Sequence, residues 1–216
     1  FFFKSLSINI IRQGISLSFF FLSFYFLIKK KKIKSLIWIL ISVSFHITSL
    51  IFLMIYFIQK KIKNIKTIIY IYITGVVLAY LGYGFHNILM LIGYSDELSK
   101  LDIITEEFNY KVGFRLDFVL FNTFFLIVAL FFYYKNTESK DSRLFTLIKF
   151  YALNSVIFFL YFHLPYSDRV GVLSWIFIPL MLLESTDSLR VKFKHKNSVM
   201  IFACFCMYWL FSVVGL

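Results

Sequence analysis

Residues 29–66 read KKKKIKSLIWILISVSFHITSLIFLMIYFIQKKIKNIK. Between the two lysine clusters, Ser35–Ile58 contains no charged residue and is rich in Ile, Leu and Phe. A run of this length is enough for one helix to cross about 30 Å of hydrocarbon. A single crossing, however, puts the five lysines of 29–34 and the four of 60–66 on opposite faces. Excess Lys and Arg belongs on the cytoplasmic face, so one cluster would break the rule. The conflict vanishes if the segment enters and returns from one side. Each half, with His46 at the tip, then extends roughly 17 Å as helix, past the midplane but short of the far face. Irregular backbone at that depth needs cover from protein or water. A single pass with one basic outer loop and a re-entrant hairpin therefore both stand as readings.

The rest of the chain has the same character. Of 216 residues 60% are hydrophobic and 22% aromatic, with 30 Phe, and the mean hydropathy is +0.82. Beyond the hairpin segment, apolar runs occupy Ser5–Ile28, Thr67–Gly93, Asp117–Tyr134, Leu144–Leu164, Val170–Leu183 and Ser198–Leu216. This predicts an all-α, polytopic integral membrane protein with about six transmembrane helices plus the hairpin, forming a single transmembrane domain over 1–216. A membrane barrel would instead alternate in short segments. The net charge of +12 sits in short clusters at helix ends, which argues against nucleic-acid binding. Cys204 and Cys206 lie on different faces of one apolar segment and make neither a disulfide framework nor a metal site.

With the hairpin in place the charges sort. Inner connections hold 17 Lys and Arg; the outer side holds Lys4, Arg12, Lys100, Lys111, Arg115 and Arg169, and seven of the eleven acids. Three arginines thus fall on one side.

Arg12, in SINIIRQGISLSFF, lies inside an apolar helix, where a guanidinium costs a few kcal/mol. It either snorkels to headgroups or serves an anion site bordered by Asn9 and Gln13, which share a face at i and i+4. Arg115, in YKVGFRLDFVLFN, contacts lipid phosphate or substrate. Asp117, two residues on, falls on a different part of the helix surface, where the N-terminal dipole favours it in any case. Tyr166, Ser167, Asp168 and Arg169 form an outer turn in which Ser167 or Asp168 can cap the next helix. The turn is either a capped corner with a local ion pair or a site where Arg169 binds phosphate, with Asp168 holding that arginine or acting as base. Planar guanidinium groups suit a diphosphate better than lysines do. His46 is a core residue, a base or a phosphate ligand; His86 and His163 have no sequence partner and receive no role. The loop 94–116 is either a solvated loop or, through its aromatic and acidic residues, a sugar-binding border. No Gly-rich phosphate loop, nucleophile elbow or metal-ligand spacing occurs.

In order along the chain, three motifs resemble the EpsG-like family of bacterial polysaccharide polymerases. They are Asn9-x-x-Arg12-Gln13, a lysine-rich turn, and Phe45-His46-x-x-Ser49. YKVGFRLDFVLFN and PYSDRVGVLSWIFIPL are similar to elements of the Wzy-type O-antigen polymerases in that group, supplying Tyr110, Gly113, Phe114, Arg115, Asp117, then Tyr166, Ser167, Asp168, Arg169, Trp175 and Pro179. The resemblance implies a GT-C-like helical bundle in the bacterial inner membrane with its active site facing the periplasm. There it would join oligosaccharide repeat units carried on undecaprenyl diphosphate, serving O-antigen, lipopolysaccharide and other surface-polysaccharide biosynthesis.

On this reading Arg12, His46, Arg115, Asp168 and Arg169 are catalytic, and Asn9, Gln13, Tyr110, Asp117 and Tyr166 bind substrate. No cofactor or metal is implied. The partners are the lipid-linked oligosaccharide, membrane lipid and a chain-length-regulating co-polymerase; nucleic acid is not among them. An O-antigen ligase-like transferase and a lipid-linked oligosaccharide flippase or exporter are the alternatives. Members of that family are longer at the N-terminal end, and this chain starts at Phe1 without Met. It is therefore expected to be the C-terminal portion of a longer polymerase.

Overall fold

A computed structural model describes residues 2–94, 112–135 and 143–188; of residues 2–10 and 186–188 it gives the helical backbone alone. Every regular element among them is a helix: α1 (Phe2–Ile28), α2 (Lys32–Phe45), α3 (Leu50–Lys61), α4 (Ile65–Tyr80), α5 (Phe85–Leu91), α6 (Leu116–Lys135), α7 (Arg143–Leu160), α8 (Ser167–Trp175) and α9 (Phe177–Ser188). The protein is all-α and a membrane protein. Among the described residues, Ile11–Ile28, Leu116–Lys135 and Arg143–Leu160 are each long and apolar enough to span, and α4 with α5, bent by 66°, makes a fourth if counted as one span. Ser198–Leu216 lies outside the described residues. Val170–Leu183 is not one helix but two, α8 and α9. Pro179 has no N–H for the carbonyl of Trp175, four residues back, and the helix breaks there.

The chain forms two compact units, Phe1–Lys63 and Asn64–Leu216.

In the first unit α1 and α2 run antiparallel along a seam of serines. The Ser16 hydroxyl donates to the Ser42 carbonyl at 2.7 Å and the Ser42 hydroxyl donates back to the Ser16 carbonyl at 2.7 Å. Seven residues away on each helix, Ser23 donates to the Ser35 carbonyl at 2.7 Å. Small side chains allow such close backbone approach, and their hydroxyls bond across it. A 3-10 turn, Ile47–Ser49, ends α2, and α3 then folds back. Ser49 meets Ser16, Phe52 stacks on Phe20 with centroids 3.6 Å apart, and the Tyr56 hydroxyl donates to the Lys32 carbonyl at 3.2 Å. If α3 continued the direction of α2, Tyr56 would lie roughly 35 Å from Lys32 at the helical rise. Residues 35–58 therefore form a helical hairpin, and both lysine clusters sit at its open end.

In the second unit α4 and α7 run parallel, with α6 antiparallel to both. Gly75 allows the closest approach: a Cβ there would lie 2.8 Å from Val156 Cγ1. Tyr72 meets Thr123 of α6 at 3.1 Å. Phe118, Phe158, Phe162 and Trp175 interlock, with Trp175 centroids 5.5 and 5.6 Å from Phe118 and Phe158. Phe177 packs on Phe150 as the chain returns along α7. Asn122, fully buried, is the polar centre of this apolar packing. Its Oδ1 accepts from Tyr151 (3.1 Å), Ser155 (3.3 Å) and Ser174 (3.4 Å), and its Nδ2 donates to the Phe118 carbonyl at 2.9 Å. Buried polar groups are tolerated where they are paired in this way. Lys149 lies in the second turn of α7, buried, with Nζ 4.6 Å from the Phe145 ring.

Candidate functional site

At one end of the second unit two loop segments are tied together. The Gly113 N–H donates to the Phe162 carbonyl at 2.8 Å, and Gly113 has φ 107°, a conformation glycine adopts without a Cβ penalty. Phe114, next in the chain, packs edge-on against Tyr80 (5.4 Å) and Phe162 (6.1 Å). This anchors the backbone just before Arg115 to the backbone just before the turn 163–169.

Arg115 precedes α6 by one residue, so its side chain can reach back over the first turn. Its Nε donates to Asp117 Oδ1 at 3.0 Å and its terminal nitrogen to Oδ2 at 2.6 Å, a two-point pair of the kind only a guanidinium makes. The guanidinium also lies 4.4 Å from the Phe118 ring centroid. The two residues thus share one surface. The expectation that Asp117 falls elsewhere assumed helix geometry for both, whereas Arg115 lies outside the helix.

Arg169 is held in a related way, its guanidinium 4.5 Å from the Tyr166 ring. Tyr166 occupies the left-handed region (φ 58°, ψ 29°) and is the N-cap of α8, without a side-chain cap hydrogen bond. A bulky residue there is strained by about 1–2 kcal/mol. Neither Ser167 nor Asp168 is the cap: both lie in the first turn of α8, where Asp168 complements the helix dipole. Pro165 and the strained Tyr166 end the previous segment and set the direction of Arg169. Both arginines are ring-seated cations at the same end of the unit, positioned before any anion arrives.

Beside them is a pair that sequence reading missed. The rings of His86 and His163 lie 5.5 Å apart, brought together by the bend between α4 and α5 at Leu81–Gly84. A Cβ at Gly84 would collide with the Leu160 carbonyl oxygen, so only glycine allows this approach. His163 Nε2 is 3.5 Å from the Ala79 carbonyl, and His86 Nδ1 is buried without a hydrogen-bond partner among the described residues. The Tyr161 ring packs on Phe85 at 4.5 Å. Nothing in the sequence pairs two histidines so far apart.

The remaining candidates belong to the first unit or lie outside the described residues. Arg12 is exposed on α1 and, among the described residues, has neither a hydrogen bond nor an ion pair; Gln13 is half-buried. The side chain of Asn9 and all of Tyr110 lie outside the described residues, as do residues 95–111 of the acidic loop. His46 is not placed as a free base at a tip. Its Nδ1 accepts from the Thr48 backbone N–H at 3.3 Å and lies 2.7 Å from the Thr48 hydroxyl, so it caps the 3-10 turn that reverses the hairpin. Among the described residues no group of three His, Cys, Asp or Glu side chains is placed to hold a metal ion.

Two ring-seated arginines, the Asp117 carboxylate and a histidine pair thus lie toward one end of the second unit. The chain belongs to the EpsG family, whose model matches residues 1–215. That membership places it among membrane proteins of polysaccharide biosynthesis, with a glycosyltransferase-like polymerase role. No curated protein and no solved structure matches it.

Proposed function

We propose that the protein is a Wzy-type polymerase of the bacterial inner membrane. It joins oligosaccharide repeat units carried on undecaprenyl diphosphate, at the periplasmic face. The observation that carries this reading is the pair of ring-seated arginines, Arg115 and Arg169, at one end of the second unit in a chain of this family.

The acceptor hydroxyl of one lipid-linked unit attacks the anomeric carbon of the growing chain. The bond from that carbon to the diphosphate oxygen breaks, and its electron pair stays on the departing diphosphate. Cations fixed in advance stabilise that developing charge without reorganising, which is the role of Arg115 and Arg169. Within the first unit, Arg12, with Asn9 and Gln13, is assigned to binding an anionic group of the substrate. Asp168 takes the proton of the acceptor hydroxyl, while Asp117 holds Arg115 rather than serving as base. His46 acts through the shape of the hairpin. Tyr110 and Tyr166 border the sugars, and a separate co-polymerase sets chain length.

The test is complementation of a polymerase-deleted host with the full-length gene, read as the lipopolysaccharide ladder on a gel. Wild type restores the ladder. Arg169→Ala collapses it to a single repeat, a loss of about 100-fold or more in transfer, at unchanged membrane level. A full ladder from the variant removes Arg169 from the site. A host lacking surface repeats altogether would identify an exporter, and a host that polymerises but fails to attach its glycan would identify a ligase.

A further inference from the structure

The first unit contains ten Lys and Arg residues and no Asp or Glu. The hairpin gathers eight of those cations, the lysines of 29–34 and 60–63, at one end, and all eight are exposed. No ion pair within the unit can neutralise them. Three are seated on aromatic rings: Lys29 lies 5.8 Å from the Tyr25 centroid, Lys34 5.9 Å from Phe26, and Lys60 3.8 Å from Tyr56. Tyrosine rings such as Tyr25 and Tyr56 collect at the level of lipid headgroups. Tyr56 joins the clusters, since its ring carries Lys60 while its hydroxyl bonds the Lys32 carbonyl. An apolar stem under a ring-anchored basic end has the shape and charge to hold membrane anions.

We propose that the open end of the hairpin is one binding site for anionic phospholipid headgroups of the cytoplasmic leaflet, built jointly by the two lysine clusters. Each lysine near such a surface is worth about fivefold in affinity, and the field fades beyond a Debye length of about 8 Å at physiological salt. Clusters brought together by Tyr56 therefore act as one site. This inference does not rest on the proposed polymerase reaction.

The full-length protein is purified from micelles of equimolar phosphatidylcholine and phosphatidylglycerol, and the lipid that stays bound is counted by native mass spectrometry. Phosphatidylglycerol is expected to be enriched about fivefold or more, and raising sodium chloride should abolish the enrichment in the unaltered protein. Replacing Lys30 and Lys31 by Gln, or Lys60 and Lys61 by Gln, should each reduce it to the bulk ratio, with no further loss when all four change. The four Lys→Arg substitutions should retain it. Equal retention of both lipids, enrichment indifferent to salt, or effects that add pair by pair would overturn the single site. Release of the lipid by inorganic diphosphate, but not by sodium chloride at equal ionic strength, would reassign the site to a soluble polyphosphate and overturn the lipid assignment.

Discussion

Between α1 and α2 the backbones are drawn together by serines that exchange hydroxyl–carbonyl bonds. In the second unit, α6, α7 and α8 interlock through Phe118, Phe158, Phe162 and Trp175 around one buried asparagine. The difference follows from what each unit presents at its end. The first carries cations without acids, exposed and unpaired in charge, on a slim hairpin. The second seats Arg115 and Arg169 against rings, and Arg115 against a carboxylate as well. Both ends use rings, Lys60 lying 3.8 Å from the Tyr56 centroid, but only the second adds a carboxylate that grips its cation at two points.

The comparison is most sharply tested at the arginines. Arg115→Lys keeps the charge but loses the two-point grip on Asp117, and transfer should fall on the order of 100-fold. Lys31→Arg in the first unit should leave the ladder unchanged. Equal losses from both would erase the distinction, and ladder densitometry decides. The next largest effect is expected at Gly75. Gly75→Val forces two methyl groups into Val156 and should destabilise the protein by about 1–3 kcal/mol, seen as a lower melting temperature in detergent. Adding Val156→Ala should restore part of it, and no restoration would mean that the contact is not what limits the substitution.

Asn122→Ala removes the acceptor shared by Tyr151, Ser155 and Ser174. It should cost about 1–2 kcal/mol in the membrane, measured by unfolding in mixed micelles. A neutral result would show that the surrounding rings suffice alone. Smallest is Ser16→Ala in the first unit, at about 0.6 kcal/mol, because Ser42 can still donate to the Ser16 carbonyl. A loss larger than that of Asn122→Ala would reverse the ranking of the two seams.

Much of this architecture could be read from residue order. The collision of lysine clusters with the charge rule pointed to the hairpin, and the hairpin is what the contacts of Tyr56 and Phe52 describe. The serine spacing was equally available, with Ser35, Ser42 and Ser49 seven apart and Ser16 and Ser23 likewise. It went unread because serine in an apolar run looks neutral until a facing helix supplies its carbonyl. The Arg115–Asp117 pair was hidden by one residue of helix boundary. With Arg115 inside the helix the two side chains diverge; just outside it, they join. The His86–His163 pair had no local signal, since its cause is a bend at Gly82–Gly84 and a loop following a distant helix. His46 was noticed for its chemistry and turned out to hold its own backbone.

Gly75 against Val156 also sets an order in time. The hydroxyl pairs of the first unit join residues at most 33 apart, so its seam can close while the next helices are still being made. Helix α4 must wait for a partner some eighty residues further on, about 4–16 s at ordinary rates of synthesis. Through that interval Gly75 lacks the Val156 side chain against which it packs. Slowing the ribosome between α4 and α7 would prolong that interval, leaving the hairpin untouched and α4 open to helices of other chains.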